Sequence, residues 1–303
     1  MVTELGLGTW GLSGDGYGPV EPETREKVLD RAIEMGIRLF DVSNAYGGSE
    51  TEALLGKRVQ RLPDAVVVTR IGIDRSVEPP KRDFSAEHIR SSVERSMRRL
   101  RRDRLDVLLL SGPGHETLDQ LSVMETLKQL KKEGKVRAFG ISAGDSEIAR
   151  RAIEQGAEVV SLPYNLLHNI DLHRISGEAL VYGTGILAHS VLAYGMLAGA
   201  WDADKTFEEH DHRSQRWSKG EFKERLRHVD ALRFLVNDRV RSLRGAAVRY
   251  VLSNHQVHSA ILGPRTPLQL QELVLETGGG PVYLSDTDLI QIPRTLTRLG
   301  MMV

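Results

Sequence analysis

Apolar residues recur along this 303-residue chain in two alternating patterns. Short apolar runs such as Ala65–Thr69 (AVVVT) are typical of strands that are covered on both faces. Apolar residues spaced by three and four positions, as in Ser85–Arg101, predict helices with one buried face. The first pattern predicts eight strands: Leu5–Trp10, Arg38–Ser43, Ala65–Thr69, Asp106–Leu110, Arg137–Ser142, Val159–Tyr164, Gly185–Leu192 and Ser259–Leu262.

The second pattern predicts helices that alternate with these strands, several of them ended by a glycine such as Gly36 or Gly134. Because no linker or change of composition interrupts the alternation, the chain is predicted to form a (β/α)8 TIM barrel in one domain, residues 1–303. The predicted helices are Pro22–Met35, Ser49–Val59, Ser85–Arg101, Leu118–Glu133, Asp145–Gln155, His173–Tyr182, Glu221–Val240, Ser242–Asn254 and Thr266–Glu276.

An open doubly wound sheet is the alternative architecture, because residues 6–11 (GLGTWG) match the GxGxxG pattern of dinucleotide-binding folds. That fingerprint needs a full strand before it and a helix directly after it. Here few residues precede the match, and a polar, glycine-rich segment follows it before any predicted helix. The sequence therefore favours the barrel.

Composition narrows the choice of partners. Lys and Arg together number 41, as do Asp and Glu, so the formal net charge is zero and nothing in it indicates nucleic acid or a membrane surface. The chain has no cysteine, which rules out disulfides and thiolate chemistry and fits a reducing compartment. No apolar run approaches the ~18 residues of a membrane span. We predict a soluble cytoplasmic protein with a small-molecule partner, and make no prediction of its oligomeric state.

The strand ends carry the candidate chemistry, because the active site of a parallel barrel lies at the carboxyl ends of its strands. The second strand carries Asp41, Tyr46 follows on its loop, and Arg70 follows the third strand. A cation beside a phenol, whose ordinary pKa is ~10, should lower that pKa and favour proton transfer to a carbonyl oxygen that accepts hydride. The alternative is a structural Asp–Arg pair near a half-buried tyrosine.

Two irregular segments are candidates for substrate contact. Residues 11–18 form a glycine-rich loop, and residues 194–220 are long, polar and without a clear period. A loop of that length inside a compact domain is usually a functional loop or lid, or is disordered.

The chain resembles the aldo-keto reductase superfamily over nearly its whole length. The strand-two segment FDVSNAYGGSE is similar to the motif that carries the family's catalytic Asp and Tyr, and LGLGTWG resembles its first strand. Further similar segments are LDVLLLSGP, KVRAFGIS, LPYNLL, SVLAYGMLAG and ILGPRTPLQLQEL. The resemblance implies a TIM barrel, NADP(H) bound without a Rossmann fold, and reduction of aldehydes or ketones. The family's N-terminal hairpin, which plugs the barrel floor, is expected to be missing, because the chain starts almost on its first strand.

The resemblance also assigns site residues. The family's catalytic tetrad is Asp, Tyr, Lys and His; Asp41 and Tyr46 match it, whereas Arg70 stands at the lysine position and Ser111 at the histidine position. His115 could fold back to replace the missing imidazole. The residues implied to bind the cofactor are Trp10, Ser142, Ser161, Ser190, Leu192, Gly195, Leu197, Gly263, Arg265, Gln269 and Glu272. Three of the family's side chains in this region are replaced: Ala143 and Leu273 stand where it has Asn, and Ser161 where it has Gln.

Three functions stay open on this evidence. The first is a carbonyl reductase in which Tyr46 is the acid, Asp41 and Arg70 tune it and Ser111 orients the carbonyl. The second is elimination, isomerisation or cyclisation with Tyr46 as acid or base and no net hydride transfer. The third is a nucleotide-binding regulatory protein, a role that potassium-channel beta subunits show in this family. No metal site is predicted.

Overall fold

Eight parallel strands close into a barrel in the computed structural model, which describes residues 2–301. The strands are β1 (Leu5–Gly8), β2 (Leu39–Ser43), β3 (Val66–Ile71), a small hairpin of β4 (Ile73–Asp74) and β5 (Lys81–Arg82), β6 (Leu105–Ser111), β7 (Val136–Ser142), β8 (Val159–Pro163), β9 (Gly185–His189) and β10 (Val257–Leu262). The order around the barrel is β1-β10-β9-β8-β7-β6-β3-β2. The predicted (β/α)8 barrel is confirmed, and the doubly wound alternative is excluded. Residues 1, 302 and 303 of the predicted domain lie outside the described residues.

Helices follow the barrel strands. They are α1 (Pro22–Glu34), α2 (Glu50–Val59), α3 (Ala86–Leu100), α4 (His115–Asp119), α5 (Leu121–Lys132), α6 (Ser146–Glu154), α7 (Ile170–Tyr182), α8 (Lys219–Ala231), α9 (Leu243–Leu252), α10 (Pro267–Thr277) and α11 (Asp286–Arg298). Among residues 2–301, no helix is both long enough and apolar enough to cross a bilayer.

Several predicted boundaries were wrong for identifiable reasons. The helix predicted over 118–133 is broken at Gln120, whose backbone is extended (ψ 97°). The helix predicted over 221–240 ends at Ala231, and the Asn237 carboxamide then accepts hydrogen bonds from two backbone N–H groups in a turn. The strand predicted to run to Leu192 ends at His189, because Ser190 adopts a left-handed conformation (φ 56°). Helix α7 begins at Ile170, three residues before its predicted start, and the hairpin and α11 were not predicted.

The strands bury side chains on both faces. Strand alternation directs every second residue into the barrel, where Leu39, Val68, Leu109, Leu187 and Ile261 form a small cluster separate from the main core. Val2 packs against that cluster. The next inward residues along β2, β3 and β9 are Asp41, Arg70 and His189. The apolar layer therefore supports a polar layer at the carboxyl ends of the strands.

Candidate active site

A buried ion pair joins the ends of β2 and β3. Arg70 Nε and Nη2 donate to the same oxygen of Asp41, Oδ2, at 3.1 and 2.8 Å. Arg70 is 8% exposed and Asp41 3%. Both predicted residues thus meet, and the guanidinium directs two donors at one carboxylate oxygen.

The same guanidinium reaches across the barrel. Arg70 Nη1 donates to Ser142 Oγ at 2.5 Å, and Nη2 donates to Ser161 Oγ at 3.1 Å. The two serines are paired neighbours in the register of β7 and β8. One side chain therefore connects four strands, and the two serine hydroxyls, predicted to contact the cofactor, face Arg70 instead.

The loop that carries Tyr46 is held in an unusual conformation. Gly47, Gly48 and Ser49 have φ values of 54°, 61° and 79°, a run of left-handed residues that is strained at the serine. Asp15 anchors this turn by accepting a hydrogen bond from the Gly47 backbone N–H at 2.7 Å. Arg75 donates to the Ala45 carbonyl and lies 3.4 Å from Asp15.

Burial controls the protonation of this site. It raises the pKa of Tyr46 to about 12, with Arg70 acting in the opposite direction and Asp41 adding to the rise. Burial also raises the pKa of Asp41, against the lowering effect of Arg70. The expectation of a lowered tyrosine pKa was wrong, because desolvation of the phenolate outweighs the nearby cation. Tyr46 is accordingly a protonated phenol near neutral pH.

The structure adds His189 to the site, a residue that the sequence reasoning missed. It ends β9 and lines the same cleft as Asp41, Tyr46 and Arg70. Burial, with the charges of Arg70 and His168, lowers its pKa to about 3. The signal was present in the strand pattern, since His189 lies two residues after the inward-facing Leu187.

The two proposed substitutes for the family's histidine behave differently from expectation. Ser111 pairs with Ser142 in the strand register but is not among the residues that line the cleft. His115 begins α4 and is exposed, so the suggestion that it folds back toward the site was wrong.

A cleft of about 490 Å³ opens at the carboxyl ends of the strands. Besides the two serines, two predicted cofactor residues do not line it: Leu197 is fully buried, and Glu272 is paired with Arg244 at 2.9 Å. The predicted residues that do line the cleft are Trp10, Asp41, Tyr46, Arg70, Ser190, Leu192, Gly195, Gly263, Arg265 and Gln269.

Four arginines line the outer part of this cleft: Arg213, Arg216, Arg244 and Arg265. Arg213 is paired with Asp211 at 2.5 Å, and Arg244 with Glu272 and Glu276. Arg216 and Arg265 have no carboxylate within salt-bridge distance in the described part of the chain. The cleft mouth therefore carries an excess of positive charge, which sequence spacing did not reveal.

The long segment 194–220 lies against the glycine-rich loop. It contains short 3-10 helices at Ala193–Ala198 and His212–Gln215. The His212 ring packs 4.9 Å from Trp10 and 4.8 Å from Tyr17, measured between ring centroids. His212 also donates its backbone N–H to the Gly16 carbonyl at 2.9 Å. The two irregular segments together form one wall of the cleft.

Residues 4–275 match the model of the aldo/keto reductase family. The chain belongs to this family. It is 28% identical over 285 residues to aldo-keto reductase YhdN of Bacillus subtilis, which covers 91% of this chain and 86% of that protein. It is 26% identical to the aldo-keto reductase yakc [NADP(+)] of Schizosaccharomyces pombe over 74% of this chain and 69% of the relative.

A solved structure agrees with this assignment. The glycerol dehydrogenase AKR11B4 of Gluconobacter oxydans superposes with a TM-score of 0.84 and 28% identity, over 98% of this chain and 92% of that one. Membership in the aldo/keto reductase family supports an oxidoreductase acting on a small molecule.

Proposed function

We propose that this protein is an NADP(H)-dependent oxidoreductase that reduces an aldehyde or ketone by hydride transfer, with Tyr46 as the general acid. One observation carries the proposal: a single cleft holds a protonated phenol at its inner end and unpaired arginine charge at its mouth. The phenol suits a carbonyl oxygen that must gain a proton. The arginines suit the phosphates of a dinucleotide.

The residues of the cleft fit such a cofactor. Arg265 Nε is buried and has no hydrogen-bond partner in the described residues, although Nη2 donates to the Gly18 and Pro19 carbonyls at 2.9 and 3.0 Å. Arg265 also lies two residues before α10, and the N-terminal end of a helix dipole favours an anion. We propose that Arg265 and Gln269 hold the adenosine-side phosphate, and that Ser190, Leu192 and Gly195 follow the pyrophosphate, with Trp10 and Gly263 beside it.

When bound, the reduced nicotinamide would supply the hydride. Tyr46 would donate its phenolic proton to the carbonyl oxygen as negative charge develops there. Arg70 favours the phenolate that remains, because its charge lowers the pKa of Tyr46 against the effect of burial. Asp41, Ser142 and Ser161 fix the guanidinium in place, so the serines would act through Arg70.

A nucleotide-binding protein without redox turnover, or with non-redox chemistry at Tyr46, is the second candidate. The observation that favours it is that Ser142 and Ser161 accept hydrogen bonds from Arg70 and do not line the cleft, where a carboxamide would have to be bound. Both candidate functions include nucleotide binding, and they differ in whether the protein catalyses hydride transfer.

The experiment measures binding and turnover separately. We expect NADPH to bind in a fluorescence titration and to be oxidised, followed at 340 nm, with at least one member of an aldehyde, ketone and quinone panel. Tyr46→Phe should lower kcat by ~10²–10⁴-fold, the usual contribution of a general acid, and leave the NADPH Kd within about twofold. Tyr182→Phe, at a tyrosine 58% exposed, is the matched control.

Each other outcome selects a different conclusion. Failure to bind either NADPH or NADH rejects the proposed function. Binding without turnover across the panel favours the second candidate. Full activity in the Tyr46→Phe variant would show that the acid is another group.

A further inference from the structure

Arg244 lines the cleft, and the proposed function above gives it no role. It lies in the first turn of α9 and borders the cleft together with Arg265, Gln269 and Leu273, which lie in or just before α10. Arg265 and Gln269 are the residues proposed above to hold the adenosine-side phosphate. Arg244 therefore faces the same end of the ligand from a second helix.

Close packing of α9 against α10 places this side chain. Gly245 follows Arg244, and a Cβ atom at Gly245 would lie only 3.1 Å from the Glu276 carbonyl oxygen of α10. Ser242, the N-cap of α9, accepts a hydrogen bond from the Gly245 N–H at 2.9 Å and donates to Glu276 Oε2 at 2.5 Å. The first turn of α9 is thus held directly against α10, so Arg244 contacts α10 and the cleft at once.

Two glutamates of α10 orient the guanidinium. Arg244 Nε and Nη2 donate to the two carboxylate oxygens of Glu276 at 2.8 and 2.6 Å, and Nη1 donates to Glu272 Oε2 at 2.9 Å. A guanidinium has five N–H groups, so these contacts leave one N–H on each Nη nitrogen without a partner in the described residues. The Arg244 side chain is 23% exposed. Arg244 consequently has two oriented donors left for a ligand.

The charges at this end of the cleft balance one another. Arg244 and Arg265 contribute two positive charges, and Glu272 and Glu276 contribute two negative charges. Gln269 is neutral, and its Oε1 accepts a hydrogen bond from the Arg265 backbone N–H at 2.8 Å. Net charge at this end therefore does not attract a phosphate, and phosphate binding here depends on oriented N–H groups.

We propose that Arg244 is a specificity-determining residue, which favours NADPH over NADH by donating its two remaining N–H groups to the phosphate on the adenosine ribose. The inference rests on the proposed function. NADH has a hydroxyl group at this position, and a neutral hydroxyl gains less from a guanidinium than a phosphate does. Glu272 and Glu276 are positioning residues, because they would act on the ligand only through Arg244.

A purely structural role is the competing explanation. Arg244 would then only connect α9 to α10, as Arg58 connects α2 to Glu26 and Asp30 of α1. The two explanations differ in what they predict for the ratio of the NADH and NADPH dissociation constants. A structural connection changes stability and leaves this ratio as it was, whereas a phosphate contact changes the ratio.

The test measures the Kd of NADPH and of NADH by fluorescence titration in wild type and in the double variant Arg244→Met/Glu276→Gln. This variant removes one positive and one negative charge, so the net charge of this end is unchanged. We expect the NADPH Kd to rise ~10–100-fold, the loss for a charged hydrogen bond, and the NADH Kd to stay within about threefold. Arg58→Met/Glu26→Gln is the matched control, because Arg58 also bridges two carboxylates but does not line the cleft.

Two results would overturn the assignment. An unchanged NADPH Kd would leave Arg244 as a structural connection, and an equal rise for both cofactors would place it against a part that they share. If the double variant does not fold, Arg244→Lys keeps the charge without the planar fork and should raise the NADPH Kd alone, by at least about threefold. No change in that variant would equally reject the role.

The wild-type titration separates this inference from the proposed function. Wild-type protein that binds neither NADPH nor NADH would reject the proposed function itself. Wild-type protein that binds NADPH no more tightly than NADH would reject the role of Arg244 and leave the proposed function standing.

Discussion

The two ends of the cleft differ in how their arginine charges are neutralised. At the inner end, one carboxylate and two hydroxyls surround a single guanidinium, and the group is buried and satisfied by its own hydrogen bonds. At the mouth, four arginines meet fewer carboxylates, and aromatic rings pack against Arg213, Arg216 and Arg265. Arg216, for example, lies 3.4 Å from the centroid of the Tyr194 ring.

The difference arises because different parts of the fold form the two ends. The ion pair and its serine partners at the inner end lie on barrel strands in fixed register, so these side chains are held within hydrogen-bond distance of one another. The mouth is made by loops and helix starts, which carry more arginines than carboxylates. Under the proposed function, the inner end performs the chemistry and the mouth binds the cofactor, so substitutions at the two ends should affect different measurements.

The largest effect on stability should come from the inner end. Asp41→Ala leaves Arg70 buried and without its counter-charge, and breaking a buried pair in this way costs about 3–5 kcal/mol of unfolding free energy. Urea denaturation measures the loss. Asp30→Ala is the control, because that side chain is 54% exposed and its pair with Arg58 should be worth less than about 1 kcal/mol. Equal losses of unfolding free energy in Asp41→Ala and Asp30→Ala would contradict the distinction between a buried and an exposed ion pair.

At the mouth, Arg265→Met should change affinity more than stability. Losing a charged hydrogen bond to phosphate costs about 1.5–3 kcal/mol, so the NADPH Kd should rise ~10–100-fold. The NADH Kd should change less than about threefold, if Arg265 contacts the additional phosphate. Arg294→Met on the exposed face of α11 is the control. An equal rise in the Kd of NADPH and of NADH would place Arg265 against a part of the ligand that both cofactors share.

Arg70→Lys tests whether the guanidinium is needed for its shape as well as its charge. A lysine ammonium has no planar fork, so at least one of Ser142 and Ser161 should lose its donor, at a cost of about 1–3 kcal/mol. Ser161→Ala alone should cost about 0.5–1.5 kcal/mol. The double variant should be less destabilised than the sum in a urea denaturation cycle. Strict additivity would show that Arg70 and Ser161 do not interact in solution.

High pH should expose the raised pKa of Tyr46. Between the ordinary value of ~10 and about 12, the unfolded phenol loses its proton while the folded phenol keeps it, so unfolding free energy falls as pH rises through this window. One proton contributes at most about 1.4 kcal/mol per pH unit. Tyr46→Phe should flatten the slope in urea denaturation between pH 9 and 11.5, whereas Tyr182→Phe should not. An unchanged slope in Tyr46→Phe would contradict the burial of the phenol.

The smallest effect on stability is expected at the boundary between the ends, in the turn that carries Tyr46. Arg75→Ala removes a half-exposed pair with Asp15, worth about 0–1 kcal/mol. It also frees the Ala45 carbonyl, so kcat should fall up to ~10-fold through misplacement of the phenol. Arg90→Ala, whose pair with Glu133 is similarly exposed and involves no residue that lines the cleft, is the control. A loss of several kcal/mol of unfolding free energy in Arg75→Ala would mean that the turn contributes to the stability of the whole domain.

The sequence alone determined the barrel, its family and the pair of Asp41 and Tyr46, because these depend on local periodicity and on a contiguous motif. Which distant residues meet depends on how the strands and loops pack together. The contact of Arg70 with Ser142 and Ser161 depends on the closure of the sheet, and the net pKa of Tyr46 depends on how much water the packed loops exclude. His189 could have been found from strand alternation. The excess of arginine at the mouth could not, because it is assembled by loops whose path no periodic pattern records.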